Sequence, residues 1–185
     1  MLTSFKKVLA SAWETLEVVL IAVITVFLIR TFLIQPFVVS GASMEPNFSD
    51  GNYLLIDEIT YRFREPLRGE VVVFEYPLNP ELFFIKRVIG MPGEHVSYDN
   101  GKVRISDGDK TVVIDEAYLH LGDKVVDFFD DITLEDDQYF VLGDNRYKSF
   151  DSRNWGSVTR DEIVGIARLR IFPLSNFRIF EAPVY

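Results

Sequence analysis

Hydrophobic positions along the chain follow two different rhythms. From Val18 to Ile29 every residue is apolar except Thr25, and after Arg30 and Thr31 the run resumes as Phe32-Leu33-Ile34. At ~1.5 Å rise per residue such a stretch can cross a bilayer core of ~30 Å. It predicts a transmembrane helix over residues 13–35. Pro36 ends it, because proline cannot continue a helix and biases Gln35 toward an extended conformation. Lys6 and Lys7 precede the run and an acidic bulk follows it. That asymmetry predicts a cell-membrane protein with residues 1–12 in the cytoplasm and the rest on the extracytoplasmic side. Glu17 and Arg30 can snorkel to the two interfaces. The alternative is a cleaved signal peptide, and Ser40-x-Ala42 has a small-x-small form. Against it, the apolar run ends well before Ala42, and cleavage there would leave Ser43 as a bare N-terminus.

Beyond residue 35 the pattern shortens to the period of strands. Asn52–Ile56 follows the turn signal Ser49-Asp50-Gly51; Val71–Tyr76 is a nearly unbroken β-branched and aromatic run closed by Pro77. Leu82–Ile89 alternates, with Phe84, Lys86 and Val88 on one face and Phe83, Ile85, Arg87 and Ile89 on the other. One of its two cations must therefore face apolar surroundings. Gln138–Leu142 and Ile163–Phe172 are further strands. Between them, residues 94–137 carry a hairpin signal at Tyr98–Lys102, a short strand at Thr111–Ile114 and accumulating acids. The predicted fold is mainly β: an antiparallel sheet domain from 36–93 and 138–185, a small inserted variable β subdomain at 94–137, and one N-terminal transmembrane helix.

Composition narrows the function. With 185 residues, 48% hydrophobic and 16 of them Phe, the chain can bury a medium β domain. A formal charge of −9 argues against nucleic acid, which requires a basic face. The absence of cysteine removes thiol nucleophiles, disulfides and thiolate metal sites. Only His95 and His120 exist, one in an alternating strand and one in an acidic stretch, and both read as surface residues. No metal-ligand spacing is present; Asp107-Gly108-Asp109 lacks the spacing of a calcium loop, and the acids of 94–137 read as a solvated face.

Three stretches carry candidate chemistry. Ser40-Gly41-Ala42-Ser43-Met44-Glu45-Pro46 presents serine on a turn. Lys86 lies in an apolar strand. Gly143 to Arg153 is a dense polar loop in which Asp144 and Asp151 could form a glycosidase pair, although Asp151 reads better as a brace on Arg153. With neither cysteine nor a suitable histidine, a serine nucleophile needs another base, and a neutral lysine can serve. At a reference pKa of ~10.4 only about one lysine in 2,500 is neutral at pH 7, but desolvation can lower that value by ~2–3 units.

These stretches resemble the type I signal peptidases, membrane-anchored Ser/Lys proteases that remove signal peptides from exported proteins. Ser40–Pro46 is similar to their nucleophile box, Lys86–Gly93 to their lysine box, and Gly143–Arg153 to their Gly-Asp-Asn-Arg…Ser-x-Asp-Ser-Arg box. The resemblance covers nearly the whole chain, with 94–137 matching only in position and β character. It implies Ser43 as nucleophile and Lys86 as general base, with Ser149 orienting the lysine amine. It further implies an Asp151–Arg153 ion pair bracing the site, Asp144 and Asn145 shaping the loop, and the Ser43 backbone N–H donating to the oxyanion. At position 41, where some members carry a serine hydroxyl as a second oxyanion donor, this chain has Gly41, so a backbone N–H or water is expected instead. Asn47 stands where threonine is common, which puts only the local turn packing in question. The implied partners are secretory preproteins, adding as an extended strand beside residues 82–86, and the lipid bilayer, with Phe37, Val38 and Val39 at its surface; no cofactor, metal or nucleic acid is implied, and the oligomeric state stays open. Two rivals remain: another Ser/Lys protease such as a self-cleaving repressor, and a membrane-tethered β-domain that only binds partners.

Overall fold

Pro36 marks the change from helix to sheet. The computed structural model of the chain describes residues 2–32, 34–99, 102–108, 110–116, 118–119 and 131–181, with backbone alone for 2–10, 28–32 and 34. Helix α1 spans Leu2–Phe32, and strand β1, Ile34–Val38, follows at once. The helix therefore starts earlier than residue 13 and stops before residue 35. Ile34 and Gln35 are in a strand, since each gains a ladder partner on β2, Tyr53–Asp57 (Ile34↔Asp57, Gln35↔Ile56). Pro36 is tolerated because β1 is the edge of its sheet. Among the described residues no helix is long and apolar enough to cross a membrane. Part of the 13–35 expectation rests on side chains at 28–34, outside those described.

The remaining elements are α2 (Thr60–Phe63), β3 (Val71–Tyr76), β4 (Asn79–Gly90), β5 (His95–Asp99), β6 (Lys102–Asp107), β7 (Lys110–Val113), β8 (Ile132–Thr133), β9 (Gln138–Leu142), α3 (Ser152–Trp155), β10 (Val158–Thr159), β11 (Ile163–Phe172) and β12 (Arg178–Ile179). An eight-stranded sheet runs β1-β2-β11-β3-β4-β9-β10, with β12 also on β11; a four-stranded sheet runs β7-β6-β5-β8. Every pairing is antiparallel.

The unbroken apolar run of β3 follows from burial on both faces. Val72 and Phe74 pack with Tyr61, Val88, Val141 and Ile166. Val71 and Val73 pack on the other side with Leu54, Ile56, Ala167, Val39, Met44 and Phe48. Val39, expected at a bilayer surface, is in this core, because its N–H and C=O are fixed by Asn52 and Gly51. Met44 and Phe48 are wholly buried, so the turn after Ser43 is pinned by two side chains, each contributing about 1.5–3 kcal/mol of burial. The small sheet packs Val96, Val103 and Ile105 against Ile89, Phe140 and Leu142 of the large one.

On β4 the pairing is asymmetric. Phe83 to Arg87 pair with β3, whereas β9 pairs only with Arg87, Val88 and Gly90. Among the described residues no strand lies along the other edge of Phe83–Lys86.

Candidate active site

The serine turn is held from three directions. Gly51 N–H donates to Val39 O at 2.9 Å, and Phe48 N–H to Met44 O at 2.8 Å. Gly41 adopts φ 88°, a left-handed value that an L side chain resists. Its N–H donates to Asp50 Oδ1 at 2.7 Å, so this group is already engaged. From the third side, Asn145 N–H donates to Ser43 O at 3.0 Å.

This convergence requires Gly143. A Cβ there would meet the Ser43 carbonyl oxygen at 2.5 Å and would overlap the Ser149 side chain as well. Only a residue without a side chain lets the polar loop approach the serine turn so closely.

Lys86 and Ser43 meet at the end of this contact, with Lys86 Nζ 2.9 Å from Ser43 Oγ. The amine also donates to Ile85 O at 2.8 Å and lies 5.4 Å from the centre of the Phe84 ring. Lys86 is 4% exposed and makes no ion pair among the described residues. Burial lowers its pKa to about 8, against a smaller upward pull from Asp151 and Asp144.

The adjacent cation has the opposite fate. Arg87 is also buried, but its Nε and Nη2 grip Asp144 Oδ1 and Oδ2 at 2.8 and 2.7 Å, and Nη1 donates to Gly69 O. Thus both charges of the alternating strand are buried, whereas the alternation alone assigned only one. Asp151 accepts from Arg153 Nε and Nη2 at 2.8 and 2.9 Å, receives Gly143 N–H at 3.0 Å and caps α3. With both carboxylates locked by guanidinium groups, a glycosidase pair has no chemical basis.

Ser149 stands beside Gly143, yet its buried Oγ makes no hydrogen bond among the described residues; the second partner of the lysine amine is Ile85 O. Asn145 uses its backbone N–H toward Ser43 and its side chain toward Lys148 N. Asn47, read only as turn packing, donates to Asp144 Oδ2 at 2.9 Å and to Tyr118 O at 3.1 Å. Sequence reading missed Glu116 and Arg146, a buried ion pair. Glu116 also corrects the view of 94–137 as a wholly solvated acidic face. His95 is on the small sheet, bonded to Thr133; His120 and Asp109 lie outside the described residues. Among the described residues no cluster of metal-ligating side chains occurs.

A cleft of about 270 Å³ opens beside the pair, lined by Phe37, Val39, Ala42, Leu54, Val73 and Ile85, with Ser43 and Lys86 in its wall. Its lining is mainly apolar, and the unpaired edge of β4 borders it.

Residues 12–172 match the family described as "Signal peptidase, peptidase S26". The chain belongs to this family. Among its S26 relatives, a probable signal peptidase I-2 of Synechocystis sp. is 38% identical over 141 residues, covering 74% of this chain and 62% of that protein. Signal peptidase I of Bacillus caldolyticus is 36% identical over 152 residues, covering 76% of this chain and 80% of the relative. A solved signal peptidase I from Enterococcus faecalis aligns at 31% identity and a TM-score of 0.47, over 56% of this chain and 97% of that one.

Proposed function

We propose that this S26 peptidase is a serine endopeptidase that removes N-terminal signal peptides from secretory preproteins after a small-x-small site. The observation carrying the proposal is the 2.9 Å contact between Ser43 Oγ and the buried, carboxylate-free amine of Lys86. Neutral Lys86 takes the Oγ proton as Oγ attacks the scissile carbonyl carbon. The ammonium then protonates the leaving nitrogen as the C–N bond breaks, leaving an ester on Ser43. Lys86 next takes a proton from water as its oxygen attacks the ester carbonyl carbon, and the ammonium returns that proton to Ser43 Oγ as the C–Oγ bond breaks and the acid leaves. Ser43 N–H donates to the oxyanion. Ser149 receives the amine during turnover, when it leaves Ile85 O; Asp144, Asn145, Asp151 and Arg153 hold the loop.

An extended substrate adds along the free edge of Phe83–Lys86, and the shallow apolar cleft favours small side chains. The catalytic unit comprises 36–93 and 138–185, with 94–137 inserted. Residues 13–32 of α1 anchor the chain in a cell membrane, with 1–12 cytoplasmic and the site extracytoplasmic. Supporting this, Trp13, Leu16, Val23 and Phe27 on α1 are exposed and apolar. The strand β1 that follows α1 lines the cleft through Phe37 and Val38, so the site is close to the bilayer in sequence.

The test is cleavage of a small-x-small preprotein in detergent by wild type, Ser43→Ala and Lys86→Met. Correctly placed cleavage lost in both variants is expected. Cleavage that survives Ser43→Ala would exclude Ser43 as nucleophile, and a well-folded but inert wild type would favour a tethered binding domain.

A further inference from the structure

Glu116 and Tyr118 belong to the chain leaving the small sheet, outside all three stretches that carry the proposed chemistry, yet they touch two of them, at Arg87 and Arg146, and Asn47 just past the third. Glu116 Oε1 accepts from Arg146 Nη2 and, at 3.3 Å, from Tyr118 OH. Arg146, its side chain wholly buried, donates through Nε to Gly143 O at 2.9 Å, and its carbonyl receives Arg153 Nη2 at 2.8 Å. The Arg87 guanidinium lies over the Tyr118 ring, 4.2 Å from its centre. The Tyr118 carbonyl takes one hydrogen bond from Asn47 Nδ2, whose other bond goes to Asp144.

A surface acid has no reason to be buried. Leaving water is costly for a carboxylate unless a cation and further donors meet it, and Glu116 is met by Arg146. Their pairing fixes the Gly143 carbonyl, where β9 turns into the polar loop. The Tyr118 ring covers Arg87 and keeps water from its pair with Asp144, which strengthens that pair. Two residues later in the same bend, Asn145 N–H holds the Ser43 carbonyl.

We propose that Glu116 and Tyr118 are positioning residues of the peptidase reaction: by holding Arg146 and Arg87 they set the 143–145 bend, and through Asn145 the place of Ser43 relative to Lys86. The proposal rests on the Ser43/Lys86 assignment above. Neither residue lines the substrate cleft, so the effect belongs to kcat. A misplacement of ~1 Å at the reacting atoms can cost about 10²-fold.

Full-length enzyme in detergent is assayed on a small-x-small preprotein as wild type, Ser43→Ala, Tyr118→Leu, Tyr118→Phe and Glu116→Gln. The assay records kcat and KM at temperatures well below each measured Tm. Tyr118→Leu and Glu116→Gln are expected to lower kcat about tenfold or more with KM within about twofold, and Tyr118→Phe, which keeps the ring over Arg87, to stay within about threefold of wild type. If Tyr118→Leu does not fold, the isosteric Glu116→Gln carries the test. Unchanged kcat, a loss residing in KM, or equal impairment by Phe and Leu would overturn the positioning role. Wild-type cleavage by Ser43→Ala would overturn the dyad and this role together. An inert Ser43→Ala beside unimpaired Tyr118→Leu and Glu116→Gln would overturn this role alone.

Discussion

Lys86 and Arg87 are neighbours in one strand, and both are buried, at 4% and 6% exposure, in opposite electrostatic settings. Arg87 is matched by a bidentate carboxylate; Lys86 has an apolar ring, a carbonyl and a hydroxyl. Adjacent residues of a strand face opposite ways, so one short segment supplies both a fixed structural charge and an amine that can lose its proton.

The amine should govern the pH dependence of cleavage. With Lys86 at about 8, kcat/KM rises with pH through that value as the neutral base accumulates. A pH–rate profile on a preprotein checks this. An acid limb near the ordinary lysine value would contradict the burial argument.

The same shift should appear in stability. The folded pKa of Lys86 is below its unfolded value, so between about 8 and 10.5 the unfolded chain holds the extra proton and stability rises with pH. Lys86→Met removes that dependence. Its stabilising advantage at pH 7 should shrink by about 2–3 kcal/mol by pH 10, measured by denaturant unfolding in a Ser43→Ala background.

Asp144→Asn leaves the buried Arg87 guanidinium without its carboxylate. Breaking one side of a buried pair costs about 3–5 kcal/mol, so a fall in unfolding free energy of that order is expected. A change below about 1 kcal/mol would mean that water already reaches the pair.

Gly143→Ala places a methyl group where the Ser43 carbonyl and Ser149 already are. The loop must retreat, and kcat, measured against wild type as the control, should drop by about 10²-fold. Activity of Gly143→Ala equal to that control would show that the contact has no role in placing the serine.

Phe48 fills the core beneath the serine turn and stacks on Phe180 with ring centres 4.2 Å apart. Phe48→Ala should lower stability by about 3–5 kcal/mol, read by thermal unfolding.

Much was legible in the chain because the physics involved is local. The β3 and β9 strands announce themselves by continuous apolar runs, β4 by alternation, and the proposed dyad by three short stretches whose residue types leave few other chemistries. The Asp151–Arg153 brace was readable because its partners are two residues apart. What only the tertiary structure decided are pairings between residues far apart in sequence: Arg87 with Asp144, Glu116 with Arg146, Asn47 with Asp144, and Lys86 with Ser43. Whether a buried charge is neutralised by proton loss or by an ion pair depends on what packs against it in space. Periodicity determines which face a side chain takes; only the packed fold determines what it meets there.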